Sequence, residues 1–143
     1  MRLRRRLLAL TLAVGLLLLL GGCRSQKSQR RPLPEGMEET AVIEQAIGIA
    51  EQLGKGEYDA VYAQLRPDVA KGLTVEDVAG LMPEKLGEWT GVTGSSASGQ
   101  TDESTGEAYA VATLTCRFAD GRCVVQIGID TEGNLIGLRV QKS

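Results

Sequence analysis

Three runs of alternating side chains near the C-terminus constrain this chain more than any other feature. In the run 107–118, Ala110, Ala112, Leu114, Cys116 and Phe118 alternate with Tyr109, Val111, Thr113, Thr115 and Arg117. In the run 123–129, Cys123, Val125, Ile127 and Ile129 fall on one side. The last run is 135–141. A period of two puts successive side chains on opposite faces of a strand, so each run predicts a strand with one buried face. Asp120-Gly121 between the first two runs is a tight-turn signal, and Asp130 to Asn134 supplies a second turn. Three consecutive antiparallel strands joined this way make a meander. Its apolar face must be covered by something else in the chain.

The preceding residues supply that cover, because their period is helical. Ile43, Ala46, Ile47, Ala50 and Leu53 form one stripe within 38–53, widened by Val42 and Ile49. Glu38 and Glu39 suit the positive end of the helix dipole, and Gly54 and Gly56 end the helix. A shorter helix is expected over 57–65, with Tyr58, Val61, Tyr62 and Leu65 inward; Arg66-Pro67 stops it. Asp68 to Gly72 reads as a turn. Thr74 reads as an N-cap with Asp77 three residues on, opening a third helix to about Met82. Residues 89–98 are rich in Gly, Ser and Thr and predict a weak edge strand, followed by a polar loop over 99–106. Helices followed by strands predict an α+β domain, with N-terminal helices packed on a curved antiparallel sheet.

The first 23 residues have a different logic. Arg2, Arg4, Arg5 and Arg6 precede an uncharged apolar stretch, Leu7 to Leu20. As a helix, those residues reach roughly 21 Å, short of a hydrocarbon core of about 30 Å. This is the layout of an export signal. Leu20-Gly21-Gly22-Cys23 resembles the lipobox of bacterial lipoproteins. The resemblance implies cleavage between Gly22 and Cys23 and a diacylglyceryl group on the Cys23 thiol, with palmitate-type acyl chains. Two acyl chains hold a small domain stably on a membrane where one does not. Residues 24–37 are polar and contain proline. They predict a flexible tether, whose Arg24, Lys27, Arg30 and Arg31 favour an anionic surface by up to about 1 kcal/mol each. The expected organisation is thus a signal peptide over 1–22, an acylated cysteine and tether over 23–37, and one domain over 38–143.

Charge and composition narrow the partners. Arg2, Arg4, Arg5 and Arg6 leave with the signal, so 16 basic residues become 12 against 18 acidic ones, a net charge of −6. An acidic domain is a poor partner for nucleic acid, which selects basic faces. The chain has no histidine, which removes the commonest general base and the commonest metal ligand. No metal or cofactor is expected.

Four stretches resemble the domain of unknown function 3887 family, found in bacterial lipoproteins. They are Gly56-Glu57-Tyr58-Asp59-Ala60-Val61, Leu86-Gly87-Glu88-Trp89, Cys116-Arg117-Phe118-Ala119-Asp120-Gly121, and the run Ile129 to Leu138. The resemblance covers roughly 43–140. It implies a cystatin-like, nuclear transport factor 2-like fold, in which a cavity often lies between sheet and helices. The matching residues are structural signatures and bring no catalytic groups with them. Gly80, Pro83 and the segment Gly94 to Gly99 depart from the pattern.

The candidate sites follow. With Asp120-Gly121 as a two-residue turn, Cys116 opposes Val125 and Phe118 opposes Cys123. The two cysteines are then diagonal neighbours, roughly 7–8 Å apart, against about 4.4–6.8 Å between the Cα atoms of a disulfide. A strained disulfide and a pair of buried thiols both remain open. Tyr58, Tyr62, Trp89, Tyr109 and Phe118 are the large side chains available to line a pocket. Asp59, Asp68, Asp120 and Asp130 each have a local explanation as cap or turn former. The expectation is a membrane-anchored bacterial lipoprotein on the extracytoplasmic face, with a non-catalytic domain binding a small ligand or a protein. The alternatives are a small cavity enzyme (a hydrolase or isomerase) and a homodimer formed through Val111, Thr113, Val124 and Gln126.

Overall fold

A computed structural model describes residues 31–143. The signal peptide over 1–22, the Gly22–Cys23 cleavage site, the Cys23 lipid and residues 24–30 lie outside the described residues. No described helix is long and apolar enough to cross a membrane.

The compact unit Arg31–Ser143 is an α+β domain. Leu33 and Met37 pack against the core, so the second half of the expected tether belongs to the domain. Four helical segments follow: α1 (Glu39–Gly54), α2 (Tyr58–Ala63), α3 (Pro67–Ala70) and α4 (Val75–Ala79). Then come β1 (Trp89–Thr101), β2 (Ala108–Phe118), β3 (Gly121–Asp130) and β4 (Leu135–Lys142). The sheet order is β1-β2-β3-β4, antiparallel throughout, so β1 and β4 are its two edges.

The helix boundaries follow local chemistry. The Thr74 hydroxyl accepts from the Asp77 amide, and the Asp77 carboxylate accepts from the Thr74 amide, a complete capping box that starts α4. That helix ends at Ala79, before Gly80 and short of Met82. Of Asp68 to Gly72, expected as a turn, the first three residues belong to the short helix α3, with Pro67 at its start, where a missing N–H costs nothing. The buried stripe of α1 is Val42, Ala46, Ile49, Ala50 and Leu53; Ile43 and Ile47 are only half-buried. The stripe is thus rotated toward the residues read as its margin, because α1 lies across β1, β2 and β3.

The core between helices and sheet is filled. Ile49, Leu53, Val61, Leu114, Val125, Ile127, Ile129 and Leu135 are fully buried within it. Under α1, these aliphatic side chains take the place where such folds often hold a cavity. β1, expected as weak and ending at 98, extends to Thr101 and is the longest strand. It alternates poorly because its register slips twice, between Trp89 and Gly91 and between Val92 and Gly94.

The β2–β3 register departs from the expected one. Phe118 pairs with Gly121, Arg117 with Arg122, and Cys116 with Cys123. The two-residue loop is therefore Ala119-Asp120. Neither residue has the positive φ that the common two-residue hairpin turns require. Tertiary contacts hold the turn instead: the Ala119 amide donates to the Glu88 carbonyl and the Asp120 amide to the Leu86 carbonyl, both at 2.8 Å. Gly121 lets the Leu86 side chain pack close, since a Cβ there would meet its terminal methyl at 2.9 Å.

Candidate functional site

The largest described concavity lies beside β4, where the strand carries an extra residue. Gly128 pairs with Gly137 and Ile129 with Leu135, which leaves Ile136 bulged out of the ladder. Bulges re-aim side chains and commonly border functional sites. On one side of the bulge is a groove of about 610 Å³ between β4 and α3–α4, walled by Leu65, Val69, Leu73, Val78, Leu81 and Leu138, with Asp77 its single charge. On the other side is a hollow of about 280 Å³ bordered by Arg66, Asp102, Glu107 and Tyr109. The two share Val69, Ile136 and Gly137 and form one cleft around the β4 edge. Gly128 and Gly137 pair directly at its floor, and the bulged Ile136 side chain lies over Gly128. Glycine inside a strand commonly marks a place where another group approaches the backbone.

The cleft exists because the chain leaves the edge of β4 there. Leu65 pairs with Leu135 in a single parallel bridge: the Leu135 amide donates to the Gln64 carbonyl and the Arg66 amide to the Leu135 carbonyl. Pro67 then turns the chain into α3, away from β4. Tyr62 pins the far wall, its hydroxyl donating to the Ala70 and Leu73 carbonyls.

Arg66 is the electrostatic centre. Its guanidinium donates through Nε and Nη2 to both Asp68 oxygens, and through Nη1 to Glu107 at 2.7 Å and Asp130 at 3.2 Å. These carboxylates push the Arg66 pKa still higher, so it is always charged. Asp130 is only 4% exposed. Burial alone would push its carboxyl up. It is overcome by bonds from the Asn134 amide, the Asn134 side chain, Arg66 and the Glu132 amide, so the pKa lies below the usual value. Asp130 is therefore ionised, with both oxygens engaged. It closes the β3–β4 turn, as its turn-former role implies, and Tyr109 is its cross-strand partner without a hydrogen bond between the side chains.

The five large side chains proposed as pocket walls do not share a cavity. Tyr109 alone borders the cleft. Tyr58 and Tyr62 pack half-buried against the core. Trp89 stacks edge-on against Phe118, ring centres 5.4 Å apart, at the far end of the sheet. Trp89 also lies over Gly54, beside a shallow hollow with Lys55 and Glu88. Asp59 and Asp120 are exposed and outside the cleft.

Cys116 and Cys123 are fully buried, unbonded thiols in directly opposed positions, correcting the diagonal placement expected from the turn. Burial, with Cys123 alongside, pushes the Cys116 pKa up to about 12. Burial raises that of Cys123 as well. Both stay protonated at neutral pH, which makes them poor nucleophiles. Among the described residues no cluster of three or more His, Cys, Asp or Glu side chains could hold a metal ion.

Nothing local in the sequence marks the cleft: Arg66 reads only as a helix stop, and Leu73 carries no motif. The available signal was the pair of glycines, Gly128 and Gly137, inside two otherwise regular strands.

No family model matches the chain, and no curated protein matches it. Among solved structures it is similar to an NMR structure of a protein from Ruminococcus gnavus ATCC 29149, with a TM-score of 0.65 and 22% identity. The match covers 76% of this chain and 96% of that one. At this identity the likeness shows the fold alone.

Proposed function

We propose that this chain is a lipid-anchored protein of the extracytoplasmic face of a bacterial membrane, and that its domain binds a ligand or protein in the β4 cleft without catalysing a reaction. The observation that carries the binding reading is the contrast between a filled core and an aliphatic cleft of about 610 Å³ open at the surface. That volume lies in the range of small-ligand and peptide sites, which pair apolar walls with a few polar groups. The non-catalytic part rests on the carboxylates at hand. Asp130 is held ionised by four donors, and Arg66 is neutralised by its neighbours, so neither is poised to move a proton at neutral pH.

The anchoring part rests on the run that ends in Leu20-Gly21-Gly22-Cys23. Labelling growing cells with radioactive palmitate tests it: the wild-type chain takes up label and Cys23→Ala does not. A Cys23→Ala protein that is still processed and labelled overturns the anchor.

A homodimer is a second reading, favoured by one observation. Val111, Thr113, Val124 and Gln126 are half-buried and occupy one sheet face, with Thr113 paired to Gln126. Light scattering over a concentration series checks it, and a monomer at millimolar concentration removes it.

A further inference from the structure

The β2–β3 register brings together two reactive side chains that the cleft does not use. Cys116 and Cys123 are fully buried, lie on the two central strands and pair directly across them. The Ser143 amide donates to the Arg122 carbonyl, so Arg122 turns its backbone toward β4 and Cys123, next along, turns toward β2. Cys116 and Cys123 are therefore a hydrogen-bonded pair of the antiparallel ladder, with Cα atoms about 5.5 Å apart. Disulfides span Cα separations of about 4.4–6.8 Å. Each thiol already has the other as a hydrogen-bonding neighbour. The obstacle in the locally favoured hairpin was a diagonal separation of roughly 7–8 Å, and the observed register removes it.

A bond between these sulfurs has a structural task. A hairpin looped at Asp120-Gly121 sets Cys116 opposite Val125, whereas the observed loop, Ala119-Asp120, sets it opposite Cys123. Neither loop residue has the positive φ that common two-residue turns require, so the turn itself does not select this register. A covalent bond does select it, because direct opposition brings the two sulfurs within bonding reach and the diagonal placement does not.

We propose that Cys116 and Cys123 are oxidised to an intrachain disulfide as the chain folds outside the cytoplasm, and that the bond locks β2 and β3 in the observed register. The described structure is the thiol form. The oxidant is a disulfide-bearing thiol oxidant. One cysteine thiolate attacks the oxidant's disulfide, which forms a mixed disulfide and releases one oxidant thiol. The second cysteine thiolate attacks the sulfur of the first, which forms the intrachain bond and releases the other oxidant thiol. Two electrons pass from the pair to the oxidant, and the two cysteine protons end on its thiols.

Exchange needs an accessible thiolate. In the folded domain both thiols are sealed from solvent, and burial holds them protonated. The exchange thus belongs to the chain before α1 and the sheet close on each other, and the same seal afterwards keeps reductants from the bond. Extracytoplasmic compartments permit disulfides, whereas the cytoplasm keeps thiols reduced. Formation in the cell therefore rests on the export reading; the geometry does not.

The test uses the full chain in two arms. In the first, bacteria expressing the chain with its own leader are lysed into denaturant containing excess N-ethylmaleimide, and the chain is digested with trypsin without reduction. Cleavage after Lys85, Arg117, Arg122 and Arg139 places Cys116 in peptide 86–117 and Cys123 in peptide 123–139. The expected ion joins these peptides and is lighter by two hydrogens than their sum. In the second arm, the purified chain is reduced, unfolded and refolded in detergent with reduced and oxidised glutathione. The same linked ion is expected. Reduction of the refolded chain is expected to raise its unfolding equilibrium constant roughly tenfold or more, with no response in Cys116→Ala/Cys123→Ala. Loss of stability above about pH 9 is expected of the reduced chain alone, since bonded sulfurs have no proton to lose.

Maleimide on both peptides in both arms overturns the bond and leaves the export reading standing. So does a bond from either cysteine to Cys23. A bond on refolding with thiols in the cell overturns the proposal for the living cell, and palmitate labelling then reports separately on whether the chain was exported and anchored.

Discussion

Each of the two edges of this sheet is met by the chain at one residue, but what lies beside the two differs. At β1 the Gly99 amide donates to the Arg31 carbonyl, and the segment Pro32–Leu33 lies so close that a Cβ at Gly99 would collide with the Pro32 carbonyl. At β4 the chain covers only the first residue. Leu65 bridges Leu135, and beyond it the strand borders a groove whose wall includes Leu73, 38% exposed and the one large exposed hydrophobic among the described residues. Open, apolar edges invite unwanted pairing, and proteins ordinarily blunt them. What sets β4 apart is the aliphatic groove beside it, where β1 has Pro32 and Leu33 against Gly99.

Five expected outcomes test this contrast, beginning with the largest. Leu135→Ala removes a fully buried side chain where the lane meets the β4 edge, and should cost about 2–5 kcal/mol in chemical denaturation. Asp130→Ala leaves the Glu132 and Asn134 amides without their acceptor and should cost about 1–3 kcal/mol by the same measurement. Gly99→Val should cost a similar amount, about 1–3 kcal/mol, by pushing the Arg31–Leu33 segment off β1. Its distinguishing signature is faster hydrogen exchange at residue 99 with no change at Leu138.

The pH dependence has two arms. The folded Asp130 carboxyl lies below its unfolded value of about 3.9, so its contribution is present above that pH. Melting temperature should therefore drop as pH falls below about 4, and less steeply in Asp130→Asn. For Cys116 the folded value is raised, to about 12. The unfolded thiol loses its proton first, so stability should decline as pH rises from about 9 toward 12. Cys116→Ala should flatten that arm. The smallest effect is Leu73→Ser, expected to change stability by no more than about 0.5 kcal/mol, since it sits on the exposed wall of the groove. A large loss there would mean that Leu73 belongs to the core and the β4 edge is closed after all.

Much of the architecture was legible in residue order. The period-two runs located β2, β3 and β4, the 3.6-residue stripe located α1, and Thr74 with Asp77 located the start of α4. These signals are local, because each reports how side chains alternate or how one turn satisfies its own backbone. The candidate site was not legible in the same way. Its parts come from residues 65–81, 102–109 and 128–138, which only the fold brings together. The cysteine pairing shows the same limit. A turn signal at Asp120-Gly121 was locally sound, yet backbone bonds from Ala119 and Asp120 to Glu88 and Leu86 moved the loop by one residue. A hairpin loop moved by one residue changes every cross-strand partner by two, which brought Cys116 opposite Cys123 instead of Val125.

By itself, then, the sequence determined that helices precede an antiparallel meander and which strand faces are apolar. Periodicity is a property of neighbouring residues, and burial follows it. Tertiary structure alone decided the register of β2 on β3, the bulge at Ile136, and the meeting of Glu107 and Asp130 on Arg66. Each of these depends on hydrogen bonds or ion pairs between segments far apart in the chain, which leave no periodic mark in the sequence.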